Sequence, residues 1–201
     1  MQLSEIDLLV NLLSNLPGIG PRSARRITLQ LIKNKKSLMK PLANTLKTIT
    51  EEIKVCKNCG NYCMEEVCDI CISNKRDKSI LCIVEEVSDL WAIERARFFN
   101  GVYFVLGGTL NAIKGITPEK LNMQGLFTKL SGEEVKEVIL ATSITTSGQT
   151  TAHYLLNNIR KLNIKVSRLA RGVPAGGELD YLDEATLGQA LNERTLVFDG
   201  F

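Results

Sequence analysis

Hydrophobic residues recur at helical spacing along the first quarter of the chain. They fall on one side of a predicted helix at residues 3–13, of a second that ends near Lys33, and of a third that begins near Ser37. The residues concerned are Leu3, Ile6, Leu9, Val10 and Leu13 in the first helix, Ala24, Ile27 and Leu31 in the second, and Leu38, Leu42, Leu46, Ile49 and Ile53 in the third. The pattern predicts a small helical domain over residues 1–54.

After a cysteine-rich segment, the pattern changes to short apolar runs that alternate with helical segments. Strands are predicted at 79–86, 102–108, 135–142 and 165–170. Helices are predicted at 88–97, 117–130, 149–161 and 183–194. Ser88 and Thr117 are expected to cap the first two of these helices. The alternation is typical of βαβ units, so we expect a multidomain α/β protein with a parallel sheet covered on both faces.

Four of the six cysteines form two C-x2-C pairs. Cys56 and Cys59 are the first pair, and Cys68 and Cys71 are the second. Two residues between cysteines let both sulfurs reach one ion, and two pairs complete a tetrahedral site for zinc. Because four thiolates leave no position for water, we expect one structural Zn²⁺ per chain. Redox dithiols are the alternative, and Cys63, between the pairs, could compete as a ligand.

The stretch NLPGIGPRSARR (residues 15–26) interrupts the helical pattern with prolines and glycines. Gly18 and Gly20 permit a tight turn and close backbone approach, and free N–H groups at the start of the next helix favour phosphate. The basic residues that follow are Arg22, Arg25, Arg26, Lys33 and Lys35. From the residues alone, a phosphate-binding hairpin and a plain linker with solvated arginines are equally supported.

Charge is distributed unevenly although the net charge is only +3. Between Leu8 and Thr50 there are eight basic residues and no acid, which favours a polyanionic partner such as nucleic acid over a merely solvated face. No stretch approaches the roughly 18 apolar residues of a membrane span. The acidic start of the chain is unlike an export signal, so we expect a cytoplasmic protein with reduced cysteines.

Other chemistry is poorly represented. The single histidine, His153, is expected to be a partly buried helix residue, and Cys82 a small core residue. Trp91 is expected to pack against apolar neighbours, and base stacking is the weaker alternative. Glu85 and Glu86 end the first strand of the α/β region, where such sheets bind ligands, but a Mg²⁺ site needs further acids. No phosphate-binding P-loop is present in the sequence.

Taken together, these segments resemble the RecR family of recombination mediators in order and spacing. NLPGIGPRSARR resembles a helix-hairpin-helix motif, and CKNCGNYCMEEVCDIC resembles a four-cysteine zinc finger. ILCIVEEVSDLWAIE and EVILATSITTSGQTTAHYL resemble the first and third strands of a Toprim domain. SRLARGVPAGGELDYLDEATLGQAL resembles the C-terminal segment of the family.

The resemblance implies four parts. They are a helix-hairpin-helix domain at 1–54, a zinc finger at 55–76, a Toprim domain at 77–172 and a C-terminal segment at 173–201. It further implies a non-catalytic, nucleoid-associated DNA-binding protein of recombinational repair. Such proteins form ring-shaped homotetramers and act with RecO and RecF to help load RecA on gapped DNA. The family's first Toprim acid falls on Glu85.

One loop departs from the family pattern. Ser143-Ile144-Thr145 and Ser147-Gly148-Gln149 replace Asn-Pro-Thr and two acids that flank a glycine. The departure puts a metal-dependent or partner-binding role of this loop in doubt. It also argues against one rival function, a Toprim phosphoryl-transfer enzyme related to primases or topoisomerases. The other rival is a protein scaffold whose basic third binds an acidic partner.

Overall fold

The chain folds into two compact units, Met1–Lys54 and Val55–Phe201. The computed structural model describes residues 4–132, 134–170, 172–174 and 176–193. Leu3 and Arg194, at the ends of two predicted helices, lie outside the described residues, as does the end of the predicted C-terminal segment. Within the described ranges, no helix has both the length and the apolar character needed to cross a membrane.

The first unit consists of helices, as predicted. They are α1 (Glu5–Ser14), α2 (Pro21–Lys33) and α3 (Lys40–Glu52), with a π-helical stretch at Lys35–Met39 before α3. The hydroxyl of Ser4 accepts a hydrogen bond from the backbone N–H of Asp7 and caps α1. The π-helical stretch begins at Lys35, two residues before the predicted start of the third helix at Ser37.

Few side chains are buried in the helical unit. Ala24, Thr28 and Leu31 of α2 are buried, whereas α1 and α3 have no buried residue. The apolar stripe that the sequence predicts around α3 is 42–56% exposed. Its members are Leu38, Leu42, Leu46, Ile49 and Ile53. The single chain therefore leaves an apolar face uncovered in this unit.

A short sheet of β1 (Lys54–Val55) and β2 (Tyr62–Cys63) and the short helix α4 (Asp69–Ile72) precede the main sheet of the second unit. The main sheet has four parallel strands, β3 (Asp77–Val84), β4 (Gly101–Val105), β5 (Glu137–Ala141) and β6 (Lys165–Arg168). Their order in the sheet is β4-β3-β5-β6. The predicted parallel sheet is thus confirmed. Because β4 and β5 lie on opposite sides of β3, the chain changes direction across the sheet at the carboxyl end of β3, directly before Glu85.

Helices cover both faces of this sheet. They are α5 (Val87–Ala96), α6 (Met123–Leu130) and α7 (Thr146–Ile159), and α8 (Glu184–Asn192) follows near the C-terminus. Alternate residues of β3 serve the two faces: Leu81 packs in the core that includes Leu126 and Leu155, and Cys82 in the core that includes Leu90. Cys82 is 2% exposed, which confirms it as a core residue.

The predicted starts of α5 and α7 are wrong. The helix after β3 is capped by Glu86 and not by Ser88, because the Glu86 carboxylate and the Asp89 carboxylate form a reciprocal capping box with the backbone. The helix α7 begins at Thr146 and not at residue 149. Its cap is Thr145, whose hydroxyl accepts a hydrogen bond from the backbone N–H of Gly148 at 3.1 Å.

The helix predicted at 117–130 is divided in the structure. A 3₁₀ turn at Pro118–Lys120 precedes α6, and Thr117 forms no side-chain capping bond. The backbone leaves the helical path because the side chain of Leu121 is buried in the core. The N–H of Asn122 then donates to the carbonyl of Leu106 at 2.9 Å. Tertiary contacts therefore override a good helix-start pattern.

Gly148 permits α7 to lie close to the end of β3, and replacement by alanine is expected to destabilise this unit. An added Cβ would lie 2.3 Å from the carbonyl oxygen of Ser143 and 2.7 Å from a carboxylate oxygen of Glu85. We expect Gly148→Ala to lower the free energy of unfolding by about 1–3 kcal/mol. Urea titration followed by the fluorescence of Trp91, the only tryptophan, measures this change.

Gly188→Ala is the matched control, because Gly188 lies inside α8 and an added Cβ there meets no atom within 4 Å. This substitution should raise stability by roughly 0.5–1 kcal/mol, the helix propensity difference between the two residues. Equal stability of the Gly148→Ala variant and the wild type would contradict the close packing described for α7.

Candidate zinc centre and nucleic-acid interface

Two short turns present the paired cysteines. In the first, the Cys56 N–H donates to the carbonyl of Asn61 at 2.7 Å, and the Gly60 N–H donates to the carbonyl of Cys56 at 2.9 Å. Gly60 has φ +80°, a conformation that favours glycine. The segment also contains a two-stranded sheet of β1 (Lys54–Val55) and β2 (Tyr62–Cys63). The second turn opens the short helix α4 (Asp69–Ile72).

The turns bring four sulfur atoms within 4.8 Å of one another. They belong to Cys56, Cys59, Cys68 and Cys71. The Cys56 and Cys71 sulfurs are 3.9 Å apart, and those of Cys59 and Cys68 are 3.5 Å apart. Four sulfurs bound tetrahedrally to zinc at about 2.3 Å would be separated by about 3.8 Å. The donor set and its spacing therefore fit a structural zinc ion.

These thiols differ in how readily they ionise, and two of them resist ionisation when no cation is bound. Burial opposes ionisation of Cys56, but backbone N–H groups, foremost that of Cys68 at 3.3 Å, outweigh it and lower the pKa of Cys56 to about 7. The hydrogen bond with Cys71, together with burial, raises the pKa of Cys59. Burial raises the pKa of Cys68 to about 11. Four thiolates would need a compensating positive charge, which zinc supplies.

Cys63 packs against the cluster but lies outside the group of four sulfurs. Its thiol donates a hydrogen bond to the carbonyl of Glu65 at 2.9 Å. The geometry therefore favours the two C-x2-C pairs over Cys63 as ligands. The ligand set itself stays a prediction.

The zinc finger segment is attached to the sheet of the second unit. The Val105 N–H at the end of β4 donates to the carbonyl of Cys59 at 2.7 Å. A Cβ at Gly60 would lie 3.1 Å from the carbonyl oxygen of Val105, so the turn and the strand are in close contact. An ion that fixes the Cys56–Cys59 turn would thereby fix the segment on β4.

The hairpin between α1 and α2 is open to solvent. Gly18 has φ +78°, and nothing lies within 4 Å of the position where a Cβ at Gly18 or Gly20 would be. Gly20 caps α2 without a side chain, and Pro21 occupies the first helical position. The backbone N–H groups at this helix start are thus accessible to an anion.

The basic side chains named from the sequence are all exposed. They are Arg22, Arg25, Arg26, Lys33 and Lys35. Arg22 and Arg26 are one helical turn apart on α2 and share a face. Within the described residues, no carboxylate lies within ion-pair distance of these five cations, since the only pair in the helical unit joins Lys47 to Glu51. Their charge is therefore available to a ligand.

Glu85 lies at the carboxyl end of β3, where it accepts hydrogen bonds from the backbone of two neighbouring loops. A carboxylate oxygen accepts a hydrogen bond from the Ser143 N–H at 2.7 Å, and the carbonyl accepts from the N–H groups of Gly107 and Gly108, each at 2.9 Å. Glu85 thus joins the loops after β4 and β5. Gly148 permits this approach. The sequence names it only as part of the departing loop, although a glycine directly before a predicted helix is a signal of close packing.

Ser147 and Gln149 stand where the family pattern has acids, and uncharged groups hold this loop together. The Ser143 and Thr145 hydroxyl oxygens are 2.7 Å apart, and the Gln149 amide donates to the carbonyl of Ile144 at 2.8 Å. Among the described residues, the four cysteines are the only group of His, Cys, Asp or Glu side chains arranged to bind a metal. The loop therefore has no carboxylates for a divalent cation.

Two expectations about single residues are wrong. His153 is exposed, because it lies on the outer side of α7, and not partly buried. Trp91 is 57% exposed and not packed in a core. Its position three residues after Ser88 on α5 faces solvent, and its ring N–H donates a hydrogen bond to the side-chain oxygen of Asn61.

Comparison with protein-family models divides the chain in the order that the motifs suggest. The RecR helix-hairpin-helix model matches residues 6–50, and the RecR four-cysteine zinc finger domain matches residues 53–73. The Toprim domain matches residues 79–170, and the RecR C-terminal model matches residues 172–195. The chain belongs to the RecR family. The domain limits at 54, 76 and 172 stay predictions, since the matched spans end at different residues.

Curated relatives agree over nearly the whole chain. A protein of Parvibaculum lavamentivorans is 54% identical over 190 residues, which cover 94% of this chain and 96% of the relative. A protein of Rhizobium leguminosarum bv. trifolii is 49% identical over 193 residues, or 96% of both chains. Both carry the name recombination protein RecR, which is not the name of an enzyme. The family and fold that the sequence predicted are therefore confirmed.

The paired cysteines provide a direct test of the zinc site. Cys68→Ser should lose zinc and destabilise residues 55–75, because three thiolates cannot close the tetrahedral site and metal binding contributes folding energy. Elemental analysis of the purified protein measures the metal content, with one zinc per chain expected for the wild type.

Cys63→Ser is the control, because this cysteine is next to the cluster but outside it. The variant should keep its zinc. Loss of the metal from Cys63→Ser together with its retention in Cys68→Ser would show that the ligands are assigned wrongly.

Proposed function

We propose that this RecR-family protein binds the phosphate backbone of DNA without reading bases and acts in recombinational DNA repair. The observation that carries the proposal is the open hairpin, where accessible backbone N–H groups lie directly before three exposed, unpaired arginines. Phosphate contacts of this kind supply affinity but little sequence information. The name of the relatives, recombination protein RecR, supports the biological role.

Individual residues have distinct roles in this proposal. Gly18 and Gly20 let the backbone approach a phosphate, because no side chain stands in front of the turn. Arg22 and Arg26 contact phosphates from one face of α2, with Arg25 beside them. Lys33, at the other end of α2, and Lys35, at the start of the π-helical stretch, extend the basic surface.

The remaining sites are proposed to be structural. One zinc ion per chain, bound by the four clustered cysteines, would hold the segment after residue 54 on β4. Four thiolates leave no open coordination position, so the ion would not activate water. Glu85 is proposed to position the loop at Ser143 and, at most, to contribute to a partner surface, because its carboxylate already accepts a backbone hydrogen bond.

We also propose that the protein assembles with itself, as a tetrameric ring in line with its family resemblance. The support from the chain is the exposed apolar stripe around α3, whose members are 42–56% exposed. A second copy that covers such a face would remove it from water, which is favourable by about 25 cal/mol per Å². Assembly would also bring several hairpins to one DNA molecule.

The finer cellular role follows from the resemblance. The protein is proposed to act with RecO and RecF in the cytoplasm, at the nucleoid, and to help load RecA on gapped DNA. The four-part division of the chain at residues 54, 76 and 172 is retained as part of this proposal.

Removal of two hairpin arginines should weaken DNA binding and reduce its salt dependence. In Arg22→Ala, Arg26→Ala, two phosphate contacts are lost, so the slope of log affinity against log salt should flatten by roughly 1.4–1.8 per chain engaged. Fluorescence anisotropy of labelled DNA across a salt series measures the slope. Circular dichroism should show little change in folding, since exposed substitutions usually cost less than about 0.5 kcal/mol.

Lys114→Ala, Lys120→Ala is the matched control, because it removes the same charge from exposed positions outside the helical unit. Its slope should equal that of the wild type. Unchanged affinity and slope in a folded double arginine variant would move the DNA site away from the hairpin, with Lys33, Lys35 and Lys36 as the next candidates.

No phosphoryl-transfer activity is expected with Mg²⁺ or Mn²⁺. Glu85 is engaged with Ser143, Glu86 caps α5, and the loop at 143–149 has no acid, so the ligands for catalytic metal ions are lacking. Nicking, nuclease and polymerisation assays with both metals test this. A divalent-dependent activity that disappears in Glu85→Gln would revive the Toprim enzyme as the function.

A further inference from the structure

Two large aromatic side chains project into solvent from α5 and the loop after it. Trp91, on the outer side of the helix, is 57% exposed, and Phe98, two residues beyond its end, is 97% exposed. Aromatic rings are usually among the most buried parts of a protein, and exposed ones often mark a contact surface. We use the name aromatic face for four exposed residues of α5 and the loop directly after it, Trp91, Arg95, Arg97 and Phe98.

The indole of Trp91 is held in place while its ring is open. Its Nε1–H donates to the side-chain oxygen of Asn61 at 3.2 Å, and Asn61 is only 6% exposed. The polar end of the ring is thus satisfied by the protein. A ring that is already oriented loses little conformational freedom when a planar ligand stacks on it.

The charge next to these rings is positive. Arg95 is one helical turn after Trp91, and Arg97 ends the helix; both are exposed. Within the described residues, neither guanidinium forms an ion pair or a hydrogen bond. The acids of the same helix are engaged elsewhere: Glu94 pairs with Arg76 at 2.6 Å, and Asp89 accepts from the backbone of the α5 cap.

The outer side of α5 otherwise carries only small residues. Ser88, Ala92 and Ala96 are exposed beside Trp91 and Arg95. An interface for a folded protein partner would be expected to surround its aromatic anchors with other large apolar side chains. Small neighbours instead leave the ring face free for a flat group, and cations beside it suit a ligand that carries negative charge.

We propose that the aromatic face binds single-stranded nucleic acid, with Trp91 and Phe98 stacking on unpaired bases and Arg95 and Arg97 contacting phosphates. Aromatic rings combined with basic side chains are the means by which proteins bind single strands without sequence preference. The bases of a duplex are already stacked on each other, so this face would discriminate single strands from duplex. It is separate from the hairpin, which contacts only the phosphate backbone.

Trp91 provides its own signal, because it is the only tryptophan in the chain. Full-length protein is titrated with an oligothymidine and, in parallel, with a duplex of equal length, and intrinsic fluorescence is recorded together with anisotropy of the labelled DNA. We expect the single strand to quench the tryptophan emission as it binds and the duplex to leave it nearly unchanged. Equal quenching by both, or binding of the single strand without quenching, would overturn the proposal.

Substitutions distinguish base stacking from the electrostatic attraction between basic side chains and DNA. Trp91→Ala should weaken binding of the oligothymidine by about 5- to 150-fold, the equivalent of one stacked base, with little effect on the duplex. Trp91→Phe should retain most of the affinity, and Phe98→Ala should lose part of it. Ile113→Ala is the control, because this loop residue is 99% exposed and apolar but lies outside the aromatic face.

The test is independent of the hairpin. In the Arg22→Ala, Arg26→Ala background, quenching by the oligothymidine should persist at low salt, even if that variant fails to bind duplex. Failure of the hairpin proposal therefore leaves this outcome intact. Unchanged affinity for the oligothymidine in folded Trp91→Ala, or no binding of the single strand by the wild type, would overturn the aromatic face as a nucleic-acid site.

Discussion

The helical unit cannot cover its own apolar face. Its three helices bury only Ala24, Thr28 and Leu31, and the stripe around α3 is about half exposed. Full burial of one such leucine or isoleucine stabilises a fold by about 1.5–3 kcal/mol, so roughly half of that remains to be gained from each member of the stripe. A partner surface that covers the stripe would supply this gain, which is why we propose self-assembly. Several hairpins in one assembly would bind DNA together, whereas each hairpin alone offers few phosphate contacts.

The second unit, in contrast, buries its apolar side chains within one chain. The parallel sheet buries apolar side chains on both faces, and four cysteine sulfurs organise a segment that is too short and polar to form a core. The sheet retains the edge where α/β proteins bind ligands, yet here Glu85 holds the loops after β4 and β5 by backbone hydrogen bonds. Glu85 therefore has a structural role at this edge, which supports the proposal of DNA binding without catalysis.

The sequence predicts the fold well where a pattern is local and strong. The two C-x2-C pairs and the parallel βαβ order required no tertiary information. Helix starts were predicted less well: the cap of α5 is Glu86 because Asp89 reciprocates, and α6 begins late because Leu121 is drawn into the core. Trp91 is exposed because it lies on the outer side of α5, and its hydrogen bond to Asn61, thirty residues away in the chain, is encoded by no local pattern.

The central claim, that an assembled protein binds DNA through its hairpins, is tested most directly by solution mass. Light scattering after size exclusion gives the mass of the wild type and of Arg22→Ala, Arg26→Ala, each with and without DNA at moderate salt. We predict the same oligomer for both proteins in the absence of DNA, and a mass increase equal to bound DNA for the wild type alone. The account would be contradicted by a wild-type protein that is a monomer and binds DNA as tightly as the predicted oligomer. It would also be contradicted by a double variant that forms the same DNA complex as the wild type.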